Sequence, residues 1–181
     1  MLSLASVLLV AATLAQPSRS LTSVTPLPAL TPSFALLDSP QRHVRTTDPA
    51  VRRLLRLGLQ RSATFKALMT YLNASDVIVY IQAATDMPRS LSGRLLMLPS
   101  PDGQRYLRIQ IAPSGTPNDL IAVIGHELRH AVEVADAPEV HDDAGLLKLY
   151  ERIGEHSHGE HRYDTRAAKT TGNQVRKELS A

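Results

Sequence analysis

The chain has 181 residues, of which 43% are hydrophobic and 20% are charged, so it suits one domain with a core and is too apolar for general disorder. Its formal net charge of +3, with few aromatic residues among the basic ones, does not favour nucleic acid as a partner. It contains no cysteine, which excludes disulfides, thiolate ligands and a cysteine nucleophile, so any metal must be bound by His, Asp or Glu.

The N-terminal residues predict a secretory leader followed by a linker. Residues 1–15 form an uncharged apolar run that ends in small residues, which is too short for a membrane span and typical of a signal peptide. Residues 16–41 are rich in Pro, Ser and Thr and predict an extended linker. We therefore expect a secreted or periplasmic protein with no stable membrane span after signal removal and a folded domain over residues 42–181.

The first half of this domain predicts two helices, a strand and a hairpin. Asp48-Pro49 is a helix-start signal, and a second helix is predicted over residues 62–72. Residues 76–82 form a β-branched and aromatic run typical of a strand buried on both faces. Residues 94–98 and 104–111 flank a Pro-Asp-Gly turn and predict a β-hairpin. The second arm alternates apolar and polar side chains, so we expect one buried and one wet face.

Three helices are predicted for the second half. Asn118 can cap a helix that extends to Ala135. A further helix is predicted over residues 142–153, with four side chains turned inward: Leu146, Leu147, Leu149 and Tyr150. After a polar loop at residues 154–160, residues 162–179 predict the closing helix. The order indicates an α+β fold, in which a small mixed or antiparallel sheet with a hairpin packs against a helix bundle.

The first of these three helices contains HExxH at residues 126–130. His126 and His130 lie one helical turn apart on the same face, about 6 Å from each other, where both can bind one tetrahedral Zn²⁺. Glu127 is near enough to accept a proton from a water bound to the metal but is badly aimed to be the third ligand. The spacing therefore predicts two metal ligands and a general base.

The motif resembles that of the HExxH zinc metallopeptidases, the zincins, and more closely that of the gluzincin-like members. The resemblance rests on Gly125–His130, the preceding strand and the following helices, and covers about residues 104–179. It implies a zincin-like fold, zinc ligation by the two motif histidines and Glu127 as general base. It also implies a peptide or protein substrate that lies along an edge strand at residues 106–111.

The third zinc ligand is less constrained than the first two. In gluzincin-like relatives it is a carboxylate from a later helix, just ahead of small residues that pack against the HExxH helix. Asp164, followed by Ala167 and Ala168, resembles that segment, with Asp in place of the more usual Glu. Three other residues remain as alternatives, together with the loop histidines at 156, 158 and 161: Asp136, His141 and Glu133.

Several polar residues near these ligands have other predicted roles. Glu133 lies three residues after His130 on the same helical face, where we expect it to support a ligand or to pair with Arg166. An HxHxxH run is expected to be an exposed loop: His156, His158 and His161. The donor that would stabilise an oxyanion stays open among three residues: Tyr150, Tyr163 and Arg166.

The sequence therefore favours a small zinc metallopeptidase. Its cofactor would be Zn²⁺ held by His126, His130 and Asp164, with Glu127 as the catalytic residue. Two further hypotheses are a catalytically silent zincin-like domain that binds a partner, and a non-enzymatic zinc-binding protein that also uses the HxHxxH loop. Stoichiometry separates them, because an enzyme needs one tight zinc whereas a buffer binds two or more weaker ions.

Overall fold

The computed structural model describes Leu37 and residues 41–100, 102–156 and 163–181. The predicted signal peptide and nearly all of the predicted linker lie outside these residues. The described helices are α1 (Pro49–Arg61), α2 (Ala63–Ala74), α3 (Pro117–Ala135), α4 (Asp143–Ile153) and α5 (Arg166–Ser180). The strands are β1 (Val44–Arg45), β2 (Val77–Ala83), β3 (Gly93–Leu98), β4 (Arg105–Ile111), β5 (Glu155–His156) and β6 (Tyr163–Asp164). No described helix has both the length and the apolar content needed to cross a membrane.

The main sheet has four strands in the order β1-β2-β4-β3. The β1–β2 and β2–β4 pairs are parallel, and the β3–β4 pair is antiparallel, so the sheet is mixed and the fold is α+β as predicted. The predicted hairpin is confirmed in β3 and β4. Because β4 also pairs with β2, it is an interior strand, and the expectation that residues 106–111 form an edge strand is wrong. The two edge strands of the described sheet are β1 and β3, so the arm of the hairpin with a free edge is β3.

The helices cover one face of this sheet. On that face β2 and β4 contribute six buried side chains to the core: Val77, Val79, Ile81, Leu107, Ile109 and Ile111. On the other face Tyr80, Tyr106 and Arg108 are half-buried. The predicted alternation in β4 is therefore confirmed, except at Gln110. This residue is buried because Arg94 lies beside it on β3 and donates a hydrogen bond from Nε to Oε1 at 2.7 Å.

Capping side chains determine where the helices begin. The predicted start of α1 is confirmed, since the Asp48 carboxylate accepts hydrogen bonds from two backbone N–H groups of the first turn. The predicted cap of α3 at Asn118 is wrong, because Thr116 caps this helix in a reciprocal capping box with Asp119. The closing helix begins at Arg166 and not at residue 162, because β6 precedes it and pairs with β5.

A buried arginine joins the C-terminal end of α3 to the sheet. Arg105 is 3% exposed and donates hydrogen bonds from Nη1 to the carbonyl oxygens of Val134 and Ala137, both at 2.8 Å. Its Nη2 also forms an ion pair with Asp76 at 2.5 Å. A cation at this position adds hydrogen bonds to carbonyl groups in and just after the last turn of the helix and interacts favourably with the helix dipole. The helix that carries HExxH is thereby fixed at its far end.

Glu178 fastens the end of α5 to the start of α2. Its carboxylate accepts hydrogen bonds from Ser62 Oγ at 2.5 Å, from Thr64 Oγ1 at 2.7 Å and from the Thr64 backbone N–H at 3.1 Å. Burial raises the pKa of Glu178, but these hydrogen bonds outweigh that effect and lower it to about 2. The ionised carboxylate therefore stabilises the packing of the two helices.

We expect Glu178→Gln to weaken the acid dependence of stability. A folded-state pKa below that of the unfolded chain means that the carboxylate contributes stability above about pH 4.5, which is lost as the pH falls towards about 2. The free energy of unfolding of the variant is expected to be about 1–2 kcal/mol below that of the parent at pH 7, with a smaller difference at pH 3. Urea denaturation at both pH values measures this, with the exposed Glu151→Gln as control. An equal loss at both pH values would contradict the prediction.

Candidate metal centre

Three predicted ligands lie together at the middle of α3. The imidazole Nε2 atoms of His126 and His130 lie 3.3 and 3.7 Å from Asp164 Oδ1. One donor atom from each of the three residues lies within 4.8 Å of the other two. Two elements meet here, since the histidines belong to α3 and the carboxylate belongs to β6. The fold thus brings together residues that are more than thirty positions apart in the sequence.

The spacing of these donors suits a small divalent cation. A tetrahedral zinc ion with bonds of about 2.0–2.1 Å has ligand atoms about 3.3–3.4 Å apart. The two histidine–aspartate distances, 3.3 and 3.7 Å, are close to this value. Two imidazoles and one carboxylate form a donor set typical of catalytic zinc sites, which leave a position open for water. The residues present therefore fit the metal that the sequence predicts.

Close packing between α3 and α5 brings Asp164 within reach of the histidines. A Cβ atom added to Gly125 would lie 2.9 Å from Val175 Cγ2, and one added to Gly172 would lie 3.2 Å from His126 Cβ. Larger residues at these two positions would push the helices apart. The sequence indicated small residues at the start of α5, and these two glycines also allow the two helices to approach closely. A short aspartate can serve where the backbone approaches this closely.

Glu133 connects two of the candidate ligands. Its carboxylate is buried, and Oε2 accepts a hydrogen bond from Nδ1 of His130 at 2.9 Å. Its Oε1 accepts a hydrogen bond from the hydroxyl of Thr165 at 2.7 Å, and Thr165 directly follows Asp164 in the chain. The supporting role predicted for Glu133 therefore has a geometric basis. The alternative partner Arg166 pairs with Glu155 instead.

The surroundings of the two histidines shift their pKa values in opposite directions. Burial and the neighbouring His130 lower the pKa of His126. Burial also lowers the pKa of His130, but the nearby Asp164 carboxylate and the hydrogen bond to Glu133 outweigh this effect and raise the pKa to about 9. The two neighbouring histidines, first His130 and then His126, in turn lower the pKa of Asp164 against the opposing effect of burial. The arrangement favours a positive charge between these side chains.

Glu127 lies beside the cluster and is buried. Burial raises its pKa to about 7, although His130 acts in the opposite direction. A Cβ atom added to Gly93 would lie 2.6 Å from Glu127 Oε1, so the edge strand β3 approaches the carboxylate as closely as a glycine permits. A carboxyl group with a pKa near neutrality can both accept and donate a proton, which is what a general base and acid must do.

The cluster opens into a cleft beside β3. Two cavities of about 720 and 360 Å³ both reach His126 and Glu127, the larger towards α4 and the smaller towards α5. Within the described part of the chain, the outer edge of β3 has no strand paired with it. An extended peptide could therefore add to this edge and pass the cluster.

Tyr150 lies beside the cluster, although the sequence did not distinguish it from the other tyrosines. Its ring meets that of His130 edge to face, with centroids 5.3 Å apart. Its hydroxyl is buried and has no hydrogen-bond partner among the described residues. Burial and the nearby carboxylates, first Glu133 and then Glu127, raise its pKa, so it remains a donor. A buried donor without a partner is available to a ligand bound at the site.

The other residues considered for the third ligand lie elsewhere or have other partners. Asp136 ends α3 and accepts a hydrogen bond from the hydroxyl of Tyr71. His141 is exposed in the segment between α3 and α4. Neither belongs to the group of donors around His130. Of the HxHxxH run, His158 and His161 lie outside the described residues.

Comparisons with protein-family models, with curated proteins and with solved structures each return no match.

Proposed function

We propose that the chain is a zinc-dependent peptidase with a zincin-like site. Zn²⁺ would be held by His126, His130 and Asp164, with Glu127 as general base. The observation that carries this proposal is the convergence of three donor atoms from two elements beside a buried carboxylate. We further propose that the protein acts outside the cytoplasm, on the basis of the leader-like residues 1–15.

Each part of the site has a task in this proposal. Zn²⁺ supplies a Lewis acid that lowers the pKa of a bound water towards about 7 and polarises a carbonyl group. Glu127 accepts the proton of the attacking water and donates it to the departing amine. The free edge of β3 binds the backbone of an extended peptide, which places the scissile bond near Glu127. The hydroxyl of Tyr150, which has no hydrogen-bond partner among the described residues, is a candidate to stabilise an oxyanion.

The metal content of the purified full chain, made without a histidine tag, tests the site. We expect one tightly bound zinc per chain and an affinity at least about 100-fold lower for Asp164→Ala, because the variant loses one of three ligands. Asp136→Ala is the matched control, because Asp136 is hydrogen-bonded to Tyr71 away from the cluster. This variant should keep the zinc affinity of the parent. Mass spectrometry and chelator competition provide the measurement.

The possible outcomes separate the hypotheses. Zinc retained in Asp164→Ala but lost in Asp136→Ala would move the third ligand to Asp136. Two or more weakly bound ions per chain would favour a zinc buffer. One tight zinc with no hydrolysis of a peptide library would favour a silent binding domain. No tight zinc in the parent chain would contradict the proposed function.

A further inference from the structure

The helix α4 presents an apolar wall to the larger cavity of the cleft. Leu147 was expected to face the core, but its side chain is 41% exposed and lines this cavity. Leu146 lies beside it and is only partly buried. Leu95 of β3 and Leu91 of the segment before β3 line the same cavity. Leucines that line an open cavity beside a candidate site are unfavourably exposed to water unless a ligand covers them.

The cavity is continuous with the candidate metal centre. Its lining includes Glu127, both motif histidines and Asp164, so an occupant would lie directly beside a bond under attack. Its volume of about 720 Å³ lies within the range of ligand sites, which are typically apolar with a few polar groups. The site therefore has room for a large side chain on its α4 side.

The charges around the cavity favour a neutral occupant. Apart from the residues of the candidate centre, the charged residues that line it are Arg94 and Asp143, which have opposite signs. Arg94 already donates a hydrogen bond to Gln110. The smaller cavity on the α5 side is also partly apolar, but it differs in charge, because its charged residues outside the candidate centre are both cationic, Lys169 and Arg176. The two sides of the cleft thus offer different surroundings to the two sides of a substrate.

From this asymmetry we propose that the chain cleaves peptides next to a bulky apolar residue, such as Leu or Phe, whose side chain binds in the α4 cavity. Leu147 is the specificity-determining residue, because it forms the exposed part of the apolar wall. The inference rests on the proposed peptidase function and adds the class of substrate to it. Burial of the substrate side chain against leucines favours apolar groups over small or charged ones.

Cleavage of a matched peptide series by the zinc-loaded full chain tests this inference. The peptides differ only in one residue beside the scissile bond, which is Phe, Leu, Ala or Asp. We expect kcat/KM to be about 10–100-fold higher for Phe and Leu than for Ala, and lowest for Asp. Leu147→Asp should reduce this preference at least about 10-fold. Ile153→Asp is the matched control, because Ile153 is 39% exposed on the same helix but does not line the cavity.

Failure of the inference and failure of the proposed function give different results. Cleavage without an apolar preference, or equal effects of Leu147→Asp and Ile153→Asp, would overturn the inference and leave the peptidase function intact. No cleavage by the parent chain would overturn the proposed function. In that case the apolar preference of the cavity is tested by calorimetry, which measures the affinity of the zinc-loaded chain for two zinc-binding hydroxamates, one with a benzyl and one with a methyl side chain. At least about tenfold tighter binding of the benzyl compound supports it, and equal or absent binding overturns it.

Discussion

Replacement of Glu127 by Gln is expected to reduce peptide hydrolysis at least about 1000-fold while one zinc per chain stays bound. Gln has nearly the shape of Glu but cannot accept a proton, and general acid–base catalysis contributes about 10²–10⁴-fold to such reactions. Zinc should remain because Glu127 is not among the converging donor atoms. The measurement is kcat/KM on a Phe- or Leu-containing peptide, together with the zinc content of the same preparation.

The control for this experiment is Glu178→Gln. Glu178 accepts hydrogen bonds from Ser62 and Thr64 at the α2–α5 contact. Its replacement should therefore change stability and leave hydrolysis at pH 7 unchanged. Hydrolysis by Glu127→Gln within tenfold of the parent would show that another group accepts the proton. Loss of zinc from Glu127→Gln would show instead that Glu127 is a ligand.

The second large effect is expected at Glu133, which under the proposed function would position a metal ligand without belonging to the converging donors. Glu133→Ala should weaken zinc binding about 10–100-fold, as replacements of groups that orient a ligating histidine commonly do. The carboxylate accepts the Nδ1–H of His130, so that Nε2, which lies 3.7 Å from Asp164 Oδ1, is the ring nitrogen left to bind a metal. It also restrains Thr165, which directly follows Asp164.

Chelator competition measures the affinity, and the visible spectrum of the Co²⁺-substituted chain reports the ligand geometry. Glu133→Gln should recover much of the affinity, since its amide oxygen can accept from His130 and its amide N–H can donate to Thr165. Glu178→Gln serves again as a control that changes stability alone and should leave the Co²⁺ spectrum unaltered. Parental affinity and spectrum in Glu133→Ala would contradict the positioning role.

Much of the secondary structure was predictable because it depends on neighbouring residues. The Asp48-Pro49 start of α1 and the hairpin of β3 and β4 are local patterns, and both are confirmed. The position of β4 inside the sheet was not predictable in this way. It depends on parallel pairing with β2, which involves residues far apart in the sequence and leaves no local pattern. The substrate edge was consequently assigned to the wrong arm of the hairpin.

The candidate site shows the same division between local and distant information. The spacing of His126, Glu127 and His130 on one helix is local, whereas Asp164 was suggested by the resemblance to gluzincins. Gly93 and Thr165 were missed, although both had a signal. A glycine at the start of a strand can mark a close approach of other groups, and a threonine just before a helix is a capping residue. Leu147 was misplaced because helical periodicity does not distinguish a core face from the wall of a cleft.

The origin of the donor atoms in two separate elements has a consequence for the stability of the protein. A metal ion bound as proposed between α3 and β6 would act as a cross-link that closes the chain between His130 and Asp164, a segment that includes α4 and its apolar wall. Because such a link forms only in the folded state, free zinc at 100 times its dissociation constant would add about 2.7 kcal/mol to the free energy of unfolding. Under the proposed function, the concentration of free zinc around the protein would then determine both its rate of hydrolysis and its resistance to unfolding.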